Sequence, residues 1–108
     1  MGKLVYNSVV VDFDDRALVH LQIVIGSKLR RGESFFLSWH EPPTGGSGRA
    51  SLWLHPSIPL HFKYVEGEAP SINRAWIDAL TASANSGQGL VLSTEPRTQA
   101  SRQHLRVG

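Results

Sequence analysis

Ser51-Leu52-Trp53-Leu54-His55-Pro56-Ser57-Ile58-Pro59-Leu60-His61-Phe62-Lys63-Tyr64 is the stretch on which the fold turns. Both of its flanks alternate apolar and polar residues, the period of a strand with one buried face. Pro56 and Pro59 stand between them, where a bend can spare the missing ladder donors. The pattern predicts a hairpin in which Leu54 lies opposite Phe62 and Leu52 opposite Tyr64, with Ser57-Ile58-Pro59 as the turn. One face would then hold Leu52, Leu54, Leu60, Phe62 and Tyr64, and the other Trp53, His55, His61 and Lys63. A slip of one residue mixes leucines with His61 and Lys63, a poorer partition of the two faces.

Before this hairpin, Lys3 to Tyr6 and Val9 to Phe13 are β-branched and aromatic runs separated by Asn7-Ser8, a tight-turn pair. Asp14 or Asp15 can cap a helix in which Ala17, Leu18, Leu21, Val24, Ile25 and Leu29 share one side. Lys28, Arg30 and Arg31 suit its C-terminal end, and Gly32 stops it. Val19, Ile23 and Gly26 lie off that stripe, where a second chain could meet them. Glu33 to His40 is a third strand, with Phe35, Leu37 and Trp39 on one side and Phe36, Ser38 and His40 on the other.

Residues 42–48 form a Pro/Gly/Ser loop without an apolar side chain, expected to be mobile and to join two antiparallel strands. After the hairpin, Ser71 is a candidate cap for a second helix with Ile72, Ala75, Trp76, Ala79 and Leu80 on its apolar side and Gly87 at its end. Gly89 to Ser93 completes the order as a last strand. The expectation is one α+β domain over residues 1–93, order ββαβββαβ: a two-layer, mostly antiparallel sheet with both helices on one face. Residues 94–108 are polar and expected to be disordered.

Charge and composition narrow the function. Residues 1–93 hold eight Lys or Arg and eight Asp or Glu, so the formal +2 of the chain comes from Arg97, Arg102 and Arg106 against Glu95. A neutral body argues against duplex nucleic acid held mainly through phosphates. The chain has no cysteine, which excludes disulfides, thiolate metal sites and thiol catalysis and fits a reducing compartment. No apolar run approaches a membrane span, so a cytoplasmic protein with no membrane partner is the default.

If the helices cover one sheet face, the other is left with Phe36, Ser38, His40, Trp53, His55, His61 and Lys63. Rings on an open sheet suit a protein partner or a second copy of the chain, where aromatic side chains anchor the contact. They suit single-stranded nucleic acid as well, with Trp53 and Phe36 stacking bases while Lys63, Arg49 and the tail arginines meet phosphates. Internal packing by another part of the chain is the third use of such a face.

His55 and His61 would face each other, with His40 near, but the third and fourth ligands of a stable metal site are missing, so no metal or cofactor is expected. Thr44 to Arg49 has the composition of a phosphate loop yet runs from strand to strand, without the helix N-terminus that makes such loops work. Asp12, Asp14 and Asp15 are better explained by helix capping than by a cation, and no catalytic motif orders the serines and histidines. A non-enzymatic binding module follows.

Met1-Gly2-Lys3-Leu4-Val5-Tyr6, Phe13-Asp14-Asp15-Arg16, Lys28 to Phe35, Trp53 to Leu60 and Asn73-Arg74-Ala75-Trp76 together resemble a family of small uncharacterised proteins of high-GC Gram-positive (actinobacterial) origin. Its members are often labelled ATP-dependent DNA ligase. That label implies a lysine in a Lys-x-Asp-Gly motif that attacks ATP, and none of Lys3, Lys28 and Lys63 stands in one. What the resemblance implies is at most an accessory or fragment related to ligation.

Overall fold

The first element, β1 (Gly2–Tyr6), turns through Asn7-Ser8 into β2 (Val9–Phe13), and Asn7 takes the positive φ of 55° that this tight turn needs. Then follow α1 (Asp15–Arg30), β3 (Phe35–His40), β4 (Arg49–Leu54), β5 (Leu60–Lys63), α2 (Arg74–Ala84) and the short β6 (Leu90–Val91). The computed structural model describes residues 1–41 and 48–97. The loop expected at 42–48 lies outside these except for Gly48, as does the end of the chain with Arg102 and Arg106. The fold is α+β, mostly antiparallel, in the expected order ββαβββαβ.

The predicted central hairpin is not there. Its two strands belong to different three-stranded sheets, β2-β1-β5 and β4-β3-β6. β5 lies antiparallel to β1, with Phe62 opposite Leu4 and His61 opposite Val5. β4 lies antiparallel to β3, with Trp53 opposite Phe36 and Leu52 opposite Leu37. β6 joins β3 in parallel, with Leu90 beside Leu37 and Val91 beside Ser38.

The residues between the two strands hold them apart. Neither Pro56 nor Pro59 can donate to a ladder. The first N–H after β4, that of His55, goes instead to the Tyr6 hydroxyl at 2.9 Å, and the Ile58 N–H turns back onto the His55 carbonyl at 3.2 Å. The chain therefore leaves one sheet at Leu54 and enters the other at Leu60. Alternation survives, because it is a property of each strand: Leu54 is buried and Trp53 exposed, as expected.

One core serves both sheets. Phe13 of β2 meets Trp39 of β3 edge to face at 5.6 Å between centroids, and Leu4, Leu18, Leu21, Ile25, Leu37, Leu54, Leu80 and Leu90 are fully buried around them. The helical stripe predicted for α1 is the one that packs inward, with Leu29 only partly covered at its end. Asp14 caps α1 by accepting from the Ala17 N–H at 2.7 Å. Asp15 acts elsewhere, since its carboxylate accepts from the Val65 and Glu66 N–H groups and so ties the exit of β5 to the start of α1.

The cap of α2 is Asn73 and not Ser71. The Asn73 Oδ1 accepts from the Ala75 N–H at 3.0 Å, while the Ser71 carbonyl is taken by Arg16 at 2.8 Å. Ile72 consequently precedes the helix and stays exposed.

The two helices run side by side in the same direction, for His20 near the start of α1 meets Asn73 at the start of α2, and Lys28 near the end of α1 meets Asn85 at the end of α2. Their dipoles are complemented at both ends. The Glu95 carboxylate accepts from Arg16 and Asn73 where the N-termini meet, and the Lys28 ammonium lies where the C-termini meet. Residues 94–97, expected to begin a disordered tail, are thus placed, with Glu95 holding them to the helices.

Candidate functional site

The strand period sends Phe36, Ser38 and His40 of β3 outward, and the antiparallel register sets Trp53, Ser51 and Arg49 of β4 opposite them. Phe36 and Trp53 pack edge to face at 4.9 Å, with an interplanar angle of 67°. Each remains about half exposed, at 49% and 48%. Next along the strands the Ser38 and Ser51 hydroxyls share a hydrogen bond at 2.7 Å, and beyond them stand His40 and Arg49. Each step between these pairs is about 7 Å, two residues of a strand. The face therefore grades from aromatic to hydroxyl to cationic, with Val91 of β6 beside Ser38.

No carboxylate points outward from these three strands. Glu41, just past β3, accepts from the Trp39 indole N–H at 3.2 Å. Phe35, Leu37, Trp39 and Leu54 on the other side of the same strands are buried, so the outward residues rest on a packed support.

The turn from α2 into β6 walls the face on one side. Gly89 at its end has φ 83°, and a Cβ there would lie 2.7 Å from the Phe36 carbonyl oxygen, so only glycine lets the turn come this close to β3. Two open depressions result. One, of about 390 Å³, borders Phe36, Trp53 and Gly89 with Lys28 and Glu33 at its rim. The other, of about 610 Å³, is lined by Ser38, His40, Arg49, Ser51, Gln88 and Val91.

Lys28 is the buried charge beside the aromatic end. Its ammonium contacts Glu33 at 2.5 Å and donates to Asn85 Oδ1 at 2.8 Å; the contact with Lys28 holds the Glu33 carboxyl below its usual range. It ties both helix ends to the entrance of β3 and is committed there.

Of the seven side chains expected on the open face, four converge, Phe36, Ser38, His40 and Trp53, and Arg49, expected near them as a cation, joins them. The other three do not. His61 and Lys63 stand on the outer side of β5 in the other sheet, opposite Val5 and Lys3. His55 sits in the crossover, where its Nδ1 accepts from the Ser57 N–H at 3.1 Å and lies 2.8 Å from the Ser57 hydroxyl. The expected facing of His55 and His61 thus fails with the hairpin that implied it. Among the described residues no group of three or more His, Asp or Glu side chains is placed to hold a metal ion, and no helix is long and apolar enough to cross a membrane.

Ser51, Gln88 and Val91 were not singled out in the sequence. Ser51 shares its strand period with Trp53, a signal that was available, whereas Gln88 and Val91 arrive through the parallel pairing of β6, which no local pattern announces. His20 is a second unannounced residue. Fully buried, it accepts the Asn73 N–H on Nε2 at 2.8 Å and therefore donates from Nδ1 to the Arg16 carbonyl at 2.7 Å, with the Trp76 ring tilted against it at 4.7 Å between centroids. Beside it the Arg16 guanidinium, joined by the Asn73 amide, holds the Glu95 carboxyl down to about 2. This cluster clamps the helix starts.

A family model described as "Domain of unknown function (DUF7882)" matches residues 1–95, a span that includes all eight elements and ends on Glu95. No curated protein and no solved structure matches the chain.

Proposed function

We propose that this chain, which belongs to the family of the domain of unknown function matched over residues 1–95, is a non-enzymatic module that docks a protein chain on the outer face of its β4-β3-β6 sheet. The half-exposed Phe36–Trp53 pair carries the proposal. Aromatic side chains held on a rigid support and followed along the sheet by uncharged groups are the usual anchors of protein contacts, whose centres are depleted in charge. Here the outward residues next to the rings are Ser38, Ser51 and Val91.

Arg49 and His40 at the far end of the same face favour a second reading, single-stranded nucleic acid with bases on the rings and phosphates at the cationic end. One arginine is a small electrostatic footprint for such binding, and Lys63, expected to add to it, is in the other sheet. Any relation to ATP-dependent DNA ligation is proposed as an accessory one: Lys3 is ion-paired with Asp12 and Lys28 is buried. No lysine should become adenylated on incubation with ATP. The cysteine-free composition agrees with a cytoplasmic setting.

Light scattering across a concentration series tests the proposal. The expected result is a mass above the 11.9 kDa of one chain that returns to it in Trp53→Ala. A mass indifferent to Trp53→Ala, together with oligonucleotide binding that weakens steeply with salt and vanishes in that variant, would replace protein docking by the second reading.

A further inference from the structure

We infer that the protein docked is a second copy of this chain, joined edge to edge through antiparallel β4 strands with the two-fold axis at Ser51, so that two three-stranded sheets become one of six. This rests on the β4-β3-β6 sheet being the docking element, with Trp53 the anchor that the edge shares with the outer face, and it names the partner, the edge and the register.

The edges of the two sheets are unequally protected. β6 has two residues, too few to template another chain. β5 enters from Pro59 and ends at Lys63, so that edge is guarded by a proline and a lysine. β2 carries Asp12, already held by Lys3 at 2.6 Å. β4 has six residues without proline or carboxylate, and its single charge, Arg49, is at its first position. Its free side has no strand partner among the described residues.

The inner face of β4 is incompletely covered on that same side. Leu52 and Ala50 are only partly buried, while Leu37 and Trp39, their neighbours across on β3, are exposed by 0% and 8%. Apolar surface thus remains where a further strand would lie.

Residues opposite one another in an antiparallel pair share a face, so the two-fold axis must fall on a residue. With the axis at Ser51, Arg49 lies opposite Trp53 of the second copy, Ser51 opposite its own counterpart, and Ala50 opposite Leu52. A cation meets a ring outside, and a small side chain meets a large one inside. An axis at Leu52 would put Arg49 opposite His55 and leave leucine against leucine. An axis at Ala50 would carry Trp53 beyond the end of the partner strand. The Ser51 register alone makes both faces complementary.

The chain lacks cysteine, so Ser51→Cys introduces a single thiol. Opposed Cα atoms in an antiparallel pair are about 4.5–5.5 Å apart, within disulfide reach. Mild oxidation of the full chain should give a disulfide-linked dimer, whereas Val10→Cys, exposed on the other sheet, should give none. Ser51→Lys, which sets two ammonium groups opposite each other, should weaken self-association at least 10-fold with an unchanged circular dichroism spectrum. A dimer that survives Ser51→Lys and links through Phe36→Cys would overturn the edge pairing and keep the docking face. Equal cross-linking of Ser51→Cys and Val10→Cys, or a wild-type chain that is monomeric throughout, would overturn the second copy as partner. The docking face itself would then be judged by whether Trp53→Ala abolishes binding of any other protein.

Discussion

The outer face of the β2-β1-β5 sheet carries Lys3, Val5, Val10, Asp12, His61 and Lys63, whereas that of β4-β3-β6 carries Phe36, Ser38, His40, Arg49, Ser51 and Trp53. Both arise from the same strand alternation over one shared core. They differ in what water can do with them. On the first, charges pair across neighbouring strands or stand solvated beside small valines, so little is gained by covering them. On the second, two large rings are half exposed beside hydroxyls already bonded to each other, and removing them from water is favourable. Alternation decides what points out, and charge content decides how much is gained by covering an outward face.

The largest effects should come from beneath the faces, where the two sheets ought to be alike. Leu37 under one and Leu4 under the other are both fully buried, and truncation of either to alanine should cost about 2–5 kcal/mol in urea unfolding. A much smaller cost for Leu4→Ala would mean that β2-β1-β5 is a loosely held layer and not an equal half of the core.

Above the core the symmetry should break. Trp53→Ala should weaken docking about 10- to 100-fold, the range of a central aromatic anchor, while changing stability by less than about 1 kcal/mol because the ring is half exposed. His61→Ala and Lys63→Ala should leave docking within about 2-fold, as expected for residues outside an interface. Equal losses from Trp53→Ala and Lys63→Ala would erase the distinction between the faces.

Much of this was legible in the chain. Inward and outward residues of β3 and β4, the stripe of α1 and the order of elements follow from period alone, because burial acts on each segment separately. Pairing does not. Whether Leu60 to Lys63 returns to β4 or crosses to β1 is decided by contacts remote in sequence, such as the Tyr6 hydroxyl on the His55 N–H. The expected hairpin therefore placed His61 and Lys63 beside Trp53, and three of seven site residues moved away with it. The Glu95 clamp was hidden for the same reason: Arg16 and Glu95 are far apart in sequence, and nothing local marks a carboxylate in a polar tail as the cap on two helices.

Acid should act on both faces alike through that clamp. The Glu95 carboxyl is held well below the ordinary carboxylate range, down to about 2, so the folded chain binds its proton less readily than the unfolded chain does. Its contribution to stability is complete above the ordinary range near 4.5 and is lost as pH falls toward about 2. Glu95→Gln should lower the melting temperature at neutral pH and flatten its decline over that window. A docking affinity that followed the same titration while the fold stayed intact would instead link the clamp to the β4-β3-β6 face.

The smallest effect belongs to the charged face itself. Lys3 and Asp12 are 2.6 Å apart, but their side chains are 51% and 58% exposed, so water competes with the pair on both sides. Such a pair contributes about 0.5 kcal/mol or less. Lys3 also stands opposite Lys63, and its removal relieves a like-charge contact that opposes the gain from Asp12. Lys3→Ala should therefore leave the urea midpoint nearly unchanged, and added salt should shrink even that difference. A loss above about 1 kcal/mol would exceed what a solvated pair can supply. The outer face of β2-β1-β5 would then hold a specific contact of its own, and the contrast between the sheets would have to be drawn on grounds other than charge.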